Sequence, residues 1–151
     1  EQTMEYAREV GVIPEVISSM EEAGWENGIE GFMATSDLQR VAEYIDQYLP
    51  EIYYVNSEPG CVDIMASGVS KWRGIKILAE SLNIAHEDIL TVGNYYNDID
   101  MLQHAGVGIA VANSLPEVKD VADFVTEYDN NHDAVAEIIS KMLHHEYDMT
   151  K

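Results

Sequence analysis

Apolar positions along the chain change their period more than once. Val41, Tyr44, Ile45, Tyr48 and Leu49 recur at i, i+3, i+4, i+7 and i+8, the spacing of one helical face. Thr35 or Ser36 is available to cap that helix, with Asp37 in its first turn, and Pro50 ends it. Upstream, residues 2–10 and 14–23 read as two short helices. The second carries Val16, Ile17, Met20 and Ala23 on one face after Pro14, which suits a first helical turn. Residues 29–34 are short and apolar enough for a strand. Residues 52–56 and 62–66 are strand-like and flank the turn signal Glu58-Pro59-Gly60.

From residue 67 the rhythm is different. Ser70 is a cap candidate before Ile75, Leu78, Ala79 and Leu82, which share a helical face. Residues 89–92 read as a strand ending at Gly93, 97–104 as a short helix, 107–111 as a strand, 116–119 as a helical turn and 122–126 as a strand. Val135, Ile138, Ile139, Met142 and Leu143 mark an amphipathic terminal helix. Strands alternating with helices imply right-handed crossovers and a parallel sheet. The change of rhythm puts a boundary near residues 66–70, dividing the chain into 1–66 and 67–151.

Composition narrows the classes. Hydrophobic residues make up 46% and charged residues 24% of 151, which fits a folded domain rather than a disordered one. Acidic residues number 28 against 8 basic, a net charge of −20, and so negative a chain repels phosphate backbones and anionic lipid. Nucleic acid and membrane surfaces are therefore not the expected partners. No apolar run is long enough to span a bilayer, and no secretory signal pattern is present. One cysteine, Cys61, excludes an internal disulfide framework. A cytoplasmic location is expected. The chain begins at Glu1 rather than Met, as a cut or processed boundary would.

Two features carry chemistry. Lys71, Arg73 and Lys76 form a basic cluster in an otherwise acidic chain, a candidate anion site. Gly93-Asn94-Tyr95-Tyr96-Asn97-Asp98 follows a strand and enters a helix, where open parallel sheets bind ligands. Its two amides and one carboxylate are oxygen ligands of the kind Mg²⁺ takes alongside water and phosphate. Asn and Asp are also ordinary helix caps, so this loop by itself leaves both readings open. His144-His145-Glu146 reads as an exposed helix end, because adjacent helical side chains point apart.

Four segments in order carry a family resemblance: Gly68-Val69-Ser70-Lys71; Gly93 through Leu102; Gly106-Val107-Gly108-Ile109-Ala110-Val111-Ala112-Asn113-Ser114; and Ala122-Asp123-Phe124-Val125-Thr126. Together they resemble the carboxyl-terminal half of the haloacid dehalogenase superfamily, in its Cof-type, sugar-phosphatase-like branch. The pattern there is G-V-S-K-G, G-D-x-x-N-D-x-x-M-L, A-x-x-N-A and A-D-x-V-T. The match covers about residues 62–143, and the first 60 residues resemble the trailing part of that branch's α/β cap less specifically. The resemblance implies an α/β fold: the trailing half of a Rossmann-like parallel three-layer core over 67–151, with part of a cap domain over 1–66.

It also implies a Mg²⁺-dependent phosphatase that passes through an aspartyl-phosphate. Lys71 matches the lysine that neutralises the nucleophile and the phosphoryl group. Asn94 and Asp98 match the two acidic positions of the metal loop, Asn97 its amide, and Asn113 the amide that orders the next loop. The substrate class implied is a small phosphorylated metabolite.

The sequence also departs from the pattern. Asn94 stands where an acid usually touches the metal, so Mg²⁺ is expected to bind weakly or not at all. Tyr95 and Tyr96 replace small residues and are expected to crowd the phosphate. Trp72 stands where glycine is usual, and Ala134 replaces the glycine of D-G-V. No D-x-D-G-T segment is present, since Asp37, Asp46 and Asp63 lack its spacing. The chain therefore contains no nucleophile and reads as a fragment, inactive alone. Its 89–92 strand edge is expected to be unpaired and open to self-association. The alternative is a degenerate member that binds a phosphorylated ligand or a protein partner without turnover.

Overall fold

The computed structural model describes residues 30–147 continuously and, before them, residues 11, 13, 15, 17–19, 22 and 28. The helices expected over 2–10 and 14–23 lie largely outside the described residues. By internal contacts the chain divides into two compact units, Glu1–Tyr54 with Pro59–Ser67, and Val55–Glu58 with Gly68–Lys151. The described strands form two separate three-stranded sheets.

The first sheet contains β1 (Gly31–Ala34), β2 (Ile52–Glu58) and β3 (Cys61–Ala66) in the order β1-β3-β2. β1 runs antiparallel to β3, pairing Gly31 with Met65 and Ala34 with Val62. Helix α1 (Leu38–Tyr48) follows β1 and buries Ile45. Its N-cap is Asp37, in a left-handed conformation and with no side-chain cap bond, not the Thr35 or Ser36 that the sequence suggested. Ser36 is one residue too early to act as cap, because the helix starts only at Leu38. β2 runs on to Glu58, past the expected residue 56, and leads directly into the turn at Pro59-Gly60.

The second sheet is parallel, with β4 (Leu90–Gly93), β5 (Val107–Ala110) and β6 (Phe124–Val125) in that order. All four residues of β5 are buried, as a central strand covered on both faces requires. On one face, Val107 and Ile109 pack with Ile138 of α5 (Ala134–Leu143). On the other, Leu102 of α3 (Ile99–His104) and Val118 of α4 (Pro116–Val121) close over Ala110. α2 (Lys71–Leu82) packs against α3. Gly108 has a packing reason: a Cβ there would overlap the backbone carbonyl of Leu102.

Two expectations need correction. β6 is two residues long rather than five, because the Asp123 carboxylate accepts the Gly108 amide at 2.8 Å in place of a strand carbonyl. The 97–104 helix is a 3₁₀ turn (Tyr96–Asp98) followed by α3. On α2 the apolar face is only partly buried: Ala79 is 7% exposed, but Leu78 is 59% and Leu82 58%. Similarly, on α5 Ile138 is buried while Val135 and Ile139 are exposed.

Glu137 ties α5 to the segment after β6. Its carboxylate accepts the Glu127 amide at 3.0 Å, the Tyr128 amide at 3.1 Å and the Lys141 ammonium at 2.7 Å. Burial pushes this carboxyl up, but these donors outweigh burial and hold it below its ordinary value. A depressed carboxyl adds stability above its unfolded value, about 4.3, that is lost as pH falls through its folded value. Glu137→Gln should therefore lower the urea midpoint of the chain at pH 7. The gap between variant and parent should close on acidification below about pH 4.

Candidate active site

The site is built at the carboxyl end of β4. Gly93 ends the strand, and a Cβ there would overlap the Asp98 side chain, so the loop returns on itself with Asp98 tucked against the strand end. Asp98 is 3% exposed. One carboxylate oxygen accepts the backbone amides of Asn94 at 2.8 Å and Tyr95 at 3.2 Å. The other accepts the Lys71 ammonium at 2.5 Å. The contact with Lys71 is direct.

Lys71 comes from the first residue of α2. Ser70 caps that helix in extended geometry, accepting the Arg73 amide at 3.1 Å. The Lys71 side chain is 48% exposed while that of Asp98 is 4%. An ammonium has three donors, so the solvent-facing side of Lys71 keeps donors for an anion. Arg73 turns its guanidinium to the Gly68 carbonyl at 2.8 Å, and Lys76 lines a different hollow, with Trp72 and His104.

The loop is held from its far side too. Ser114 donates to the Gly93 carbonyl at 3.1 Å, and the Leu115 amide donates to the Asn94 carbonyl at 3.3 Å. Asn113 is exposed and pairs with Asn130, donating to its side chain at 2.7 Å and accepting its amide at 3.3 Å. It thus joins the segment after β5 to the one after β6, without touching Asp98. Asn94 is exposed at the mouth of a 510 Å³ cleft lined also by Val92, Asn131, Asp133 and Val135. Asn97 is half-buried within the 3₁₀ turn. The Tyr96 hydroxyl donates to Glu117 on α4 at 3.3 Å, and the neighbouring charge of Glu117 raises its pKa.

The donor set does not make a Mg²⁺ cage by itself. Asp98 already serves three donors, Asn94 offers a neutral oxygen, and among the described residues no group of three His, Cys, Asp or Glu could hold a metal. Mg²⁺ demands near-ideal octahedral ligation, which one committed carboxylate does not provide.

Ser114 and Asp100 are site-supporting residues that the motif reading passed over. Both lie inside the quoted motifs, but their partners, Gly93 and Ser70, are distant in sequence and no periodicity reveals them.

Residues 22–139 match the model of a family described as haloacid dehalogenase-like hydrolase. A putative phosphatase, YxeH of Bacillus subtilis, is 35% identical over 108 residues, covering 71% of this chain and 40% of that protein. A putative phosphatase of Mycoplasma genitalium, MG265, is 34% identical over 103 residues, covering 68% of this chain and 37% of its own length. The chain thus spans well under half of these relatives. The solved structure of the subclass IIB sugar phosphatase BT4131 superposes with a TM-score of 0.71 at 29% identity, covering 89% of this chain and 48% of that one.

Removing Lys71 leaves a buried carboxylate with two of its three donors. Because water reaches the half-exposed Lys71 position, Lys71→Met should cost about 1–2 kcal/mol at pH 7, not the full value of a buried pair. Asp98→Asn in the same background should add less than it does alone. Urea denaturation of the four forms measures this coupling, and strictly additive losses would contradict a working ion pair.

Proposed function

The chain belongs to the haloacid dehalogenase-like hydrolase family, and from that premise we propose that the protein it comes from is a phosphomonoesterase of small phosphorylated metabolites, with this chain supplying the cation-bearing part of the site. The observation that carries this reading is Lys71: an ammonium anchored on a buried carboxylate, half open to solvent, at the carboxyl end of a parallel sheet. A cation fixed there by Asp98 is preorganised to stabilise charge on a transferring phosphoryl group.

The rest of the reaction requires an element that this chain does not contain. In the proposed reaction a carboxylate oxygen attacks phosphorus, the P–O bond to the alcohol breaks and the alcohol leaves. Water then cleaves the acyl phosphate, releasing inorganic phosphate and restoring the carboxylate. In a parallel ladder alternate residues face one neighbour. Ile89 and Gly93 accept from Val107 and Val111 of the β5 side, so Leu90 and Val92 present their backbone groups outward. The exposed Leu78, Leu82, Val135 and Ile139 are the apolar cover a further strand would need. The reading is of a longer protein whose carboxylate-bearing strand lies on the open edge of β4.

Mg²⁺ dependence belongs to the same proposal, with the missing carboxylate ligand contributed by that strand. A cytoplasmic location remains the proposal from composition; among the described residues no helix is long and apolar enough to cross a membrane. A second reading, a member that binds phosphorylated ligands without turnover, is favoured by one residue, Asn94, in place of an acid.

An aryl phosphate assay separates them. This chain alone should show no turnover with or without millimolar Mg²⁺. A longer form carrying the upstream segment should hydrolyse it, with Asn94→Asp lowering the Mg²⁺ concentration for half-maximal rate. If the longer form binds phosphate but is inactive until Asn94→Asp is made, the non-catalytic reading holds. Turnover by this chain itself would overturn the fragment reading.

A further inference from the structure

The residues on either side of Lys71 each clasp α3. Ser70 donates its hydroxyl to Asp100 at 2.6 Å. Trp72 stacks on His104, with ring centroids 5.7 Å apart and planes 20° from parallel. Asp100 and His104 are themselves joined, the His104 Nδ1 lying 3.1 Å from the Asp100 carboxylate and 2.8 Å from its carbonyl oxygen. Ser70, Asp100, His104 and Trp72 thus close a loop of contacts with Lys71 at its centre. Asp98 lies two residues before Asp100, at the start of the same helix.

We infer that Asp100, His104 and Trp72 are positioning residues: they lock the start of α2 to α3 and so fix Lys71 against Asp98. The need is physical. A lysine has a flexible four-carbon stem, and holding its ammonium in one place costs rotamer entropy. Fixing the backbone at both neighbours, residues 70 and 72, reduces the freedom that the single ion pair must overcome. The Ser70 hydroxyl has two roles here, as cap acceptor to Arg73 and donor to Asp100. One side-chain oxygen therefore sets both where α2 begins and where it sits on α3. The aromatic stack does the same one residue later, from the opposite side of Lys71 in sequence.

The consequence for catalysis rests on the phosphatase reading, but the latch itself does not. The test therefore reads Lys71 directly. In this chain, nitrogen-detected NMR follows the exchange of the Lys71 ammonium protons with water. Asp98→Asn defines the released state. Asp100→Ala, Trp72→Ala and His104→Ala should each speed that exchange about tenfold, the scale of one charge-assisted hydrogen bond. Trp72→Phe, which keeps a stacking face, should restore it. Because His104 is a surface residue, with 55% of its side chain exposed, its substitution keeps the chain folded, as the backbone amide spectrum checks.

Lys71 exchange unchanged in His104→Ala and Asp100→Ala would overturn the latch. Loss of stability without a change at Lys71 would assign these residues a structural role only, and also overturn it. In a longer, active form the same variants should lower kcat about tenfold with little change in KM. Absence of activity in that form, with Lys71 exchange still responding, would refute the phosphatase reading and leave the latch standing.

Discussion

A buried carboxylate must be given donors or it must not be charged. Asp98 is that carboxylate, and much of the second unit is arranged around it. Gly93 is a glycine because the Asp98 side chain occupies the space of its Cβ. The Asn94 and Tyr95 amides turn inward to meet it. Lys71 is brought from another helix to complete the set. Ser114 and Leu115 then hold the outer side of the same loop through the Gly93 and Asn94 carbonyls. One charge thus links β4, α2, α3 and the start of α4, and the positions of the remaining polar groups follow from it.

The same arrangement underlies the proposal that an element outside this chain completes the site. Asp98 spends its lone pairs on the chain's own donors, and its contribution is to hold a cation. The cation keeps an open side. Beside it, β4 ends the sheet with outward-facing backbone groups at Leu90 and Val92, next to a cleft that Asn94 and Val135 line. Polar backbone, apolar side chains and an exposed ammonium together support the proposal that a further strand packs on this edge. The chain covers 40% of YxeH and 48% of the BT4131 structure.

Much of this was legible in the sequence, for physical reasons that differ by element. β5 reads as an apolar run because both its faces are covered. Ser70 reads as a cap because only a few residue types can accept an orphan helix amide. The Gly93–Asp98 loop left a cap and a ligand reading open, because Asn and Asp serve as either, and only the order of the four motifs singled it out. The misreadings have equally definite origins. β6 is shortened by a side chain, Asp123, that replaces a ladder bond. α1 is capped at Asp37 by backbone conformation rather than by a hydroxyl. The shared apolar face of α2 was legible, but not that Leu78 and Leu82 stand exposed on it, because periodicity reports which residues seek cover, not whether cover is present. The Ser70–Asp100 and Trp72–His104 contacts were hidden because they join residues about thirty positions apart, where neither period nor propensity reaches.

The central claim is that this chain anchors the cation of a phosphoryl-transfer site while the nucleophile lies outside residues 1–151. Rapid acid quench of the longer form with an aryl phosphate, followed by mapping of the phosphorylated aspartate by mass spectrometry, tests it most directly. The account predicts a phosphoryl group on an aspartate upstream of Glu1 and none within this chain. A phosphoryl group found on Asp98, or on Asp37, Asp46 or Asp63, would contradict it.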